Sequence, residues 1–221
     1  MTHEEHVLQL VREALGELDH PDARLSATIR KAIRIARLRQ DFDNLFWLEF
    51  EMMSVESIST IIPVKDEIRP HYSKDEWNRL GARTLQMYGA ERTIKYEPLA
   101  EGSLDRTATT KFLLSVREIE DKLDFFASQE RQLEGLVRNP TRAFSGSDMG
   151  MMSRVAFTGQ RMLIEIRSIL ERIRQRVHRF LSVTETETVR GQTFSGAFER
   201  NRAFVENKLG ELCPEAQEKL L

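Results

Sequence analysis

The sequence is poor in several features that would point to a particular class of protein. Cys213 is the only cysteine among 221 residues, which excludes an intrachain disulfide and a zinc site built from several thiolates. It has no run of the roughly 18 apolar residues that a membrane-spanning helix requires, so we expect no membrane association. Basic and acidic residues nearly balance, 33 against 35, so the chain as a whole has no strong attraction to nucleic acid or anionic lipid.

Signals for targeting and for common cofactors are also missing. The start of the chain, MTHEEHVLQLVREALGEL, carries acidic residues where a secretory or mitochondrial leader carries basic ones, so we expect a cytoplasmic protein. The sequence contains no GxGxxG, Walker lysine loop, GxSxG or HExxH motif, and we expect neither a cofactor nor a metal site.

What the sequence does contain is apolar residues at helical spacing, which predicts an all-α fold, a helical bundle with short irregular connections. Three helices are expected over residues 4–18, over residues 24–38, and from an N-cap at Asp41 toward Met53. Residues 54–72 include two prolines and are expected to form an ordered loop.

A fourth helix is expected to begin at Ser73, because Ser73 and Glu76 have the spacing of a capping box. Its inward-facing residues would be Trp77, Leu80, Leu85 and Tyr88. Residues 93–103 are expected to be a further connection.

Residues 105–182 have the clearest pattern, two heptad seams separated by Asn139-Pro140 and a loop. They predict a long antiparallel helical hairpin resembling a coiled coil, although the same seams would also suit a homodimer. The first seam comprises Phe112, Val116, Ile119, Leu123, Phe126, Leu133 and Val137. The second seam comprises Met152, Val155, Gly159, Met162, Ile166, Ile169, Ile173 and Val177.

The remaining segment, residues 183–221, is expected to contain an exposed strand at VTETETV and a helix that docks back on the rest. The chain is thus expected to have three parts within one compact domain: an N-terminal helical part over residues 1–104, the hairpin over 105–182, and this C-terminal segment.

Arginine outnumbers lysine 25 to 8, and the arginines form two rows on predicted helix faces. Such rows could hold phosphate groups, because each guanidinium offers paired donors, so nucleic-acid binding is possible. They could equally pair with the acids Glu118, Glu120, Asp121 and Asp124 of the preceding helix. The first row is Arg30, Arg34 and Arg37. The second row is Arg154, Arg161, Arg172, Arg176 and Arg179.

Histidines suggest two further possibilities. Arg172 and His178 fit the arginine, four-to-six residues, histidine spacing of HEPN-type ribonucleases, where the imidazole would transfer protons and the arginine would hold the phosphate. Alternatively, His178 is a surface residue favoured by the C-terminal helix dipole. His3 and His6 could supply two metal ligands, but the sequence offers no third.

Two stretches resemble the AbiTii domain of bacterial abortive-infection proteins. One is LSATIRKA at residues 25–32, followed by Trp47-Leu-Glu49, and the other is ILERIRQRVHRFL at residues 169–181. The glycine-tyrosine that commonly follows the tryptophan and acid in that domain is replaced here by Met52-Met53-Ser54. Arg30, Lys31, Trp47 and Glu49 match recurrent positions, which could reflect a buried tryptophan and an arginine bridging to the acid.

The resemblance implies a role in resistance to bacteriophage and supplies no catalytic residues. Together with the uninterrupted seams, it leads us to expect a non-enzymatic module that interacts with other defence proteins or with a second copy of itself.

Overall fold

The computed structural model describes residues 2–20, 22–53, 66–96, 108–111, 113–138 and 146–191. Side chains are described at these residues except 95–96, 108–111, 129–130, 132–138 and 146–162. Six α-helices lie within the described residues, and the all-α fold is confirmed. They are α1 (His3–Leu18), α2 (Leu25–Leu38), α3 (Phe42–Glu51), α4 (Lys74–Glu91), α5 (Val116–Arg138) and α6 (Gly146–Val189).

Four helices, α1, α3, α4 and α5, begin where a capping side chain satisfies free backbone donors of the first turn. Asp41 accepts from the Asn44 backbone N–H at 3.2 Å, as predicted for the start of α3. The predicted capping box of Ser73 and Glu76 starts α4. Similar reciprocal pairs, Thr2 with Glu5 and Ser115 with Glu118, start α1 and α5. The local cap signals therefore locate these helix starts.

The predicted connections contain more regular structure than expected. A short 3₁₀ helix, Arg69–His71, precedes α4 in the segment predicted to be a loop. After α4, β1 (Thr93–Tyr96) pairs antiparallel with β2 (Ala108–Lys111), and Thr93 lies opposite Lys111. We had predicted only a connection over residues 93–103. The other part of the predicted loop, residues 54–65, lies outside the described residues.

The core lies around α6, which contacts α1, α2, α4, α5 and β1. Its seam residues Ile166, Ile169, Ile173 and Val177 are buried, and so are Val116 and Ile119 of α5. α5 and α6 contact each other. The coiled-coil-like hairpin stays a prediction, because the side chains of its distal seam residues lie outside the described residues. These are Leu133, Val137, Met152, Val155 and Met162.

Two predictions were wrong, one for the side chain of Leu85 and one for the segment VTETETV. Leu85 is 54% exposed, because Thr84 and Tyr88 are the residues of this part of α4 that face the core. The segment VTETETV is not a strand, because α6 continues through it to Val189. The predicted docking helix after it lies outside the described residues.

The helical state of residues 183–189 has a clear physical basis. The Thr186 and Thr188 hydroxyls donate to carbonyls four residues earlier, at 2.9 and 2.7 Å, so these polar side chains find hydrogen-bond partners within the helix. Glu185 and Glu187 reach arginines of the N-terminal helical part, Arg12 and Arg39. The helix ends near Gly191, whose φ of 62° is typical of a C-terminal glycine.

No described helix has a stretch long and apolar enough to cross a lipid bilayer.

Candidate functional site: the arginine face of the long helix

Three arginines of the predicted second row, Arg172, Arg176 and Arg179, lie on one face of α6, at successive steps of four and three residues. Arg172 donates to the backbone carbonyl of Glu91 at 2.6 Å, and Arg176 pairs with the Glu91 carboxylate at 3.2 Å. Arg179 is exposed and makes no ion pair with a described residue. The row therefore approaches α4, and its members have different environments.

Arg176 belongs to a buried cluster of four charged side chains that we call the ion cluster: Glu51, Glu91, Arg92 and Arg176. Both arginines donate to the Glu51 carboxylate, whose side chain is only 2% exposed. Arg92 is fully buried and Arg176 is 18% exposed. Two positive and two negative charges balance formally, which offsets much of the cost of burying them.

Aromatic rings cover both guanidinium groups of the ion cluster. The Arg92 guanidinium carbon lies 4.0 Å from the ring centroid of Tyr88, and that of Arg176 lies 4.1 Å from the centroid of Trp47. Rings at this distance attract a cation through their quadrupole while excluding water. Trp47 also packs edge-on against Phe180 of α6. The cluster thus joins α3, α4 and α6.

Burial changes the protonation chemistry beside the ion cluster. Removal from water raises the pKa of Glu91, and Arg176 and Arg92 oppose that rise by attraction without reversing it. Burial likewise raises the pKa of Tyr88. Two Arg92 nitrogens, Nε and Nη1, are buried without a hydrogen-bond partner, so the cluster is incompletely satisfied.

A cleft of about 420 Å³ adjoins the ion cluster between α3, α4 and the C-terminal part of α6. We call it the α3–α4–α6 cleft. Its apolar wall includes Trp47, Leu80, Met87, Phe180 and Val183. Its charged lining residues are Asp41, Asp43, Arg83, Arg176, Arg179 and Glu187.

The predicted first row, on α2, does not form one uniform surface. Arg30 is exposed and has no ion pair with a described residue, whereas Arg34 lies 3.2 Å from His6 Nε2. Arg37 pairs with Glu49 at 2.6 Å and with Glu67 at 3.0 Å. Its hydrogen bond to Glu67 is the main reason that the Arg37 pKa is raised. Arg37, one of the three candidate phosphate-binding residues of this row, is therefore already paired with carboxylates.

The acids of α5 contact residues at the start of α2, and not the arginine row of α6 with which the sequence suggested they could pair. Asp121 and Asp124 bind Arg24, just before α2, at 2.9 and 2.7 Å. Glu120 accepts from the backbone N–H of Ser26 at 3.3 Å. The idea that these acids neutralise the α6 row is thus wrong for the described contacts. The side chains of Arg154 and Arg161 lie outside the described residues.

The structure does not bring Arg172 and His178 together. At about 100° per residue, two side chains that are six residues apart on a helix point about 120° away from each other. Arg172 and His178 therefore leave α6 on different faces. His178 is exposed, lies 3.4 Å from the Ser182 hydroxyl, and lines an open depression of about 630 Å³ with Asp19 and Arg174. Arg174 donates to the Leu18 carbonyl at 2.8 Å.

His3 and His6 also point to separate partners. His3 Nε2 lies 3.1 Å from the Leu38 carbonyl, and His6 contacts Arg34. Across the residues that the structure describes, no three histidine, cysteine or acidic side chains are grouped as metal ligands would be.

The positions that resemble the AbiTii domain have structural partners. Trp47 is buried, and Glu49 accepts a hydrogen bond from Arg37. Lys31 pairs with Glu17 at 2.6 Å. An arginine does bridge to the acid, but it is Arg37 and not Arg30.

Glu51 and Arg92, the most buried charges of the site, were not anticipated from the sequence. One signal could have identified Glu51. Glu51 is the last residue of α3, whose sequence is FDNLFWLEFE. This helix has apolar residues on nearly every side, so an acid within it has little chance of facing solvent.

Comparison with protein-family models, with curated proteins and with solved structures gives no match for this chain.

Proposed function

We propose that this protein is a cytoplasmic helical module of a bacterial abortive-infection system against phage. It acts by binding other defence proteins or a second copy of itself, and not by catalysis. The defence role rests on the resemblance of residues 25–49 and 169–181 to the AbiTii domain. The interaction role rests on the surface of α5 and α6.

The observation that carries the proposal is the change in burial of apolar residues along α5. Val116 and Ile119 are fully buried, Leu123 and Phe126 are partly buried, and Phe125 is 57% exposed. Apolar surface therefore becomes more accessible away from the start of α5. Phe125 is adjacent to the seam residue Phe126, and an exposed apolar side chain supports an interaction site when it forms part of a contiguous apolar patch.

A second exposed apolar residue, Ile164, lies on α6, the helix that packs against α5. It is 64% exposed and directly follows the buried Leu163. α6 has 44 residues and is about 66 Å long, whereas α1, which packs along it, has 16 and is about 24 Å long. α1 can thus cover only part of α6, and the exposure of Ile164 shows that the other neighbours of α6 also leave apolar surface accessible, which supports a role in binding.

The test compares variants that place a charge on this surface with one that places it elsewhere. Phe125→Glu and Ile164→Glu introduce a charge beside the seam, and Val189→Glu does so at another exposed apolar residue. Light scattering after size exclusion measures self-association, and pull-down with products of neighbouring genes measures binding of other proteins.

We expect the wild type and Val189→Glu to form the complex and the two seam variants to lose it. Circular dichroism verifies that all three variants stay folded. A wild-type protein that is strictly monomeric and binds none of the neighbouring gene products would contradict the proposal.

A further inference from the structure

We propose that the α3–α4–α6 cleft binds a small organic phosphate, a molecule with one phosphate group and an apolar or aromatic body. This site is separate from the interaction surface, because neither Phe125 nor Ile164 lines the cleft. The volume of about 420 Å³ falls within the usual range for small-molecule sites, roughly 300 to 1,000 Å³.

The acids of the cleft are already engaged by neighbouring groups. Asp41 accepts from the Asn44 backbone N–H and from its side-chain amide, at 3.2 and 2.7 Å. Asp43 accepts from the Tyr72 hydroxyl. Glu187 pairs with Arg39 at 2.5 Å, and Arg39 is not a lining residue. Each acid of the cleft therefore already accepts a hydrogen bond, and Glu187 is also paired with a cation.

The arginines of the cleft are less fully engaged. Arg83 and Arg179 line it from α4 and α6, and neither has an ion-pair or hydrogen-bond partner among the described residues. Arg176 pairs with Glu51 and Glu91, but its buried Nε has no hydrogen-bond partner. The donors in the cleft that have no described partner thus belong to arginines, chiefly to two guanidinium groups on different helices.

Two guanidinium groups suit a phosphate group in particular. Each presents a planar pair of donors that matches two phosphate oxygens, and each stays charged at every physiological pH. Because α4 and α6 supply one each, a phosphate between them would bind both helices. The free arginines thus specify the anionic end of the ligand.

The apolar wall specifies the other end. Leu80 and Met87 of α4 and Phe180 and Val183 of α6 line the same cleft, and Val183 is 51% exposed. Met87 has an adaptable side chain that packs well against aromatic rings. An organic body placed there would cover apolar surface that is now exposed to water, which inorganic phosphate could not do.

The experiment measures binding by isothermal titration calorimetry with phenyl phosphate, AMP and inorganic phosphate as probes. The variants Arg83→Gln and Arg179→Gln remove the free charges. Arg167→Gln is the matched control, because Arg167 is also an exposed arginine of α6 but does not line the cleft. Thermal melts verify that each variant is folded.

We expect at least one organic phosphate to bind more tightly than inorganic phosphate. Each cleft variant should weaken that binding about tenfold or more, while Arg167→Gln leaves it within about twofold. Met87→Ala should weaken binding of the organic phosphate and leave binding of inorganic phosphate unchanged.

Three results would overturn the proposal. The first is no binding of either organic phosphate at millimolar concentration. The second is equal weakening by Arg167→Gln and Arg179→Gln, which would indicate attraction to the whole helix. The third is equal affinity for inorganic and organic phosphate, which would remove the role of the apolar wall.

Discussion

Glu51→Gln should be strongly destabilising, because Glu51 is the shared acceptor of the ion cluster. Its side chain is 2% exposed and that of Arg92 is fully buried. The amide has nearly the shape of the acid, so the substitution removes a charge with little change in packing. Arg92 would then be a buried cation that has lost its only described ion-pair partner.

Removing one partner of a buried ion pair costs about 3–5 kcal/mol. Domains of this kind have a free energy of unfolding of about 5–15 kcal/mol, so the loss is a large part of the total. At a denaturant dependence of about 2 kcal/mol per molar urea, the unfolding midpoint would fall by about 2 M. Urea titration followed by circular dichroism at the helical bands measures this shift.

A second variant tests whether the cost comes from the unpaired charge. Arg92→Met leaves Glu51 paired with Arg176, so we expect a smaller loss, about 1–3 kcal/mol. The double variant should cost less than the sum of the two single variants, because it leaves no isolated charge at Arg92. Glu185→Gln, in a pair with the 61% exposed Arg12, is the control and should cost less than about 1 kcal/mol.

The reasoning would be refuted if Glu51→Gln changed the free energy of unfolding by less than about 1 kcal/mol. Strict additivity of the two single variants would refute it as well, since it would mean that Glu51 and Arg92 do not stabilise each other.

Three further predictions concern other parts of the described chain. Ser73→Ala should cost about 1 kcal/mol in urea titration by removing the cap of α4, and no loss would contradict the cap's role. Because burial raises the Glu91 pKa, the folded state holds that proton more firmly, and the contribution of Glu91 to wild-type stability should fall as pH rises from the ordinary value of 4.5 through the raised pKa. Glu91→Gln removes this titration, so the stability of the variant relative to wild type should improve from acid to neutral pH, and a relative decline would contradict the sign. Gly191→Ala should lower stability by about 1–2 kcal/mol because of its positive φ, whereas Gly16→Ala, within α1, should raise it by about 0.5–1 kcal/mol; thermal melts that rank the two the other way would disprove this.

The features that could be predicted from the sequence are those set by neighbouring residues. The helix starts at Asp41 and Ser73 depend on groups three residues away, so their signals are complete in the local sequence. Strand pairing of Thr93 with Lys111 depends on a distant segment, and the Pro98 and Gly102 signals between them predicted a connection without indicating a strand on either side. VTETETV was misread because alternating threonine and glutamate resembles a strand, although the contacts of Glu185 and Glu187 with the N-terminal helical part require a helix.

The candidate site also combines features set by neighbouring residues with features set by distant segments. Helical spacing placed Arg172, Arg176 and Arg179 on one face, since spacing is a local property. It could not show that Arg176 meets Glu51 while Arg179 meets no acid of the described part of the chain, because the partners of Arg176 come from α3 and α4. Which arginine carries a free charge is therefore decided by tertiary packing.

The position of α6 has a consequence for how the chain is made. α1 leaves the ribosome before α6, yet it docks on α6, and Arg12 contacts Glu185, 173 positions later. At about 5–20 residues per second, translation separates the two by about 10–35 s. During that interval the apolar stripe of α1 has α2 as a neighbour but lacks its principal support. Chains that end before residue 163 should thus be retained by chaperones or degraded by proteases.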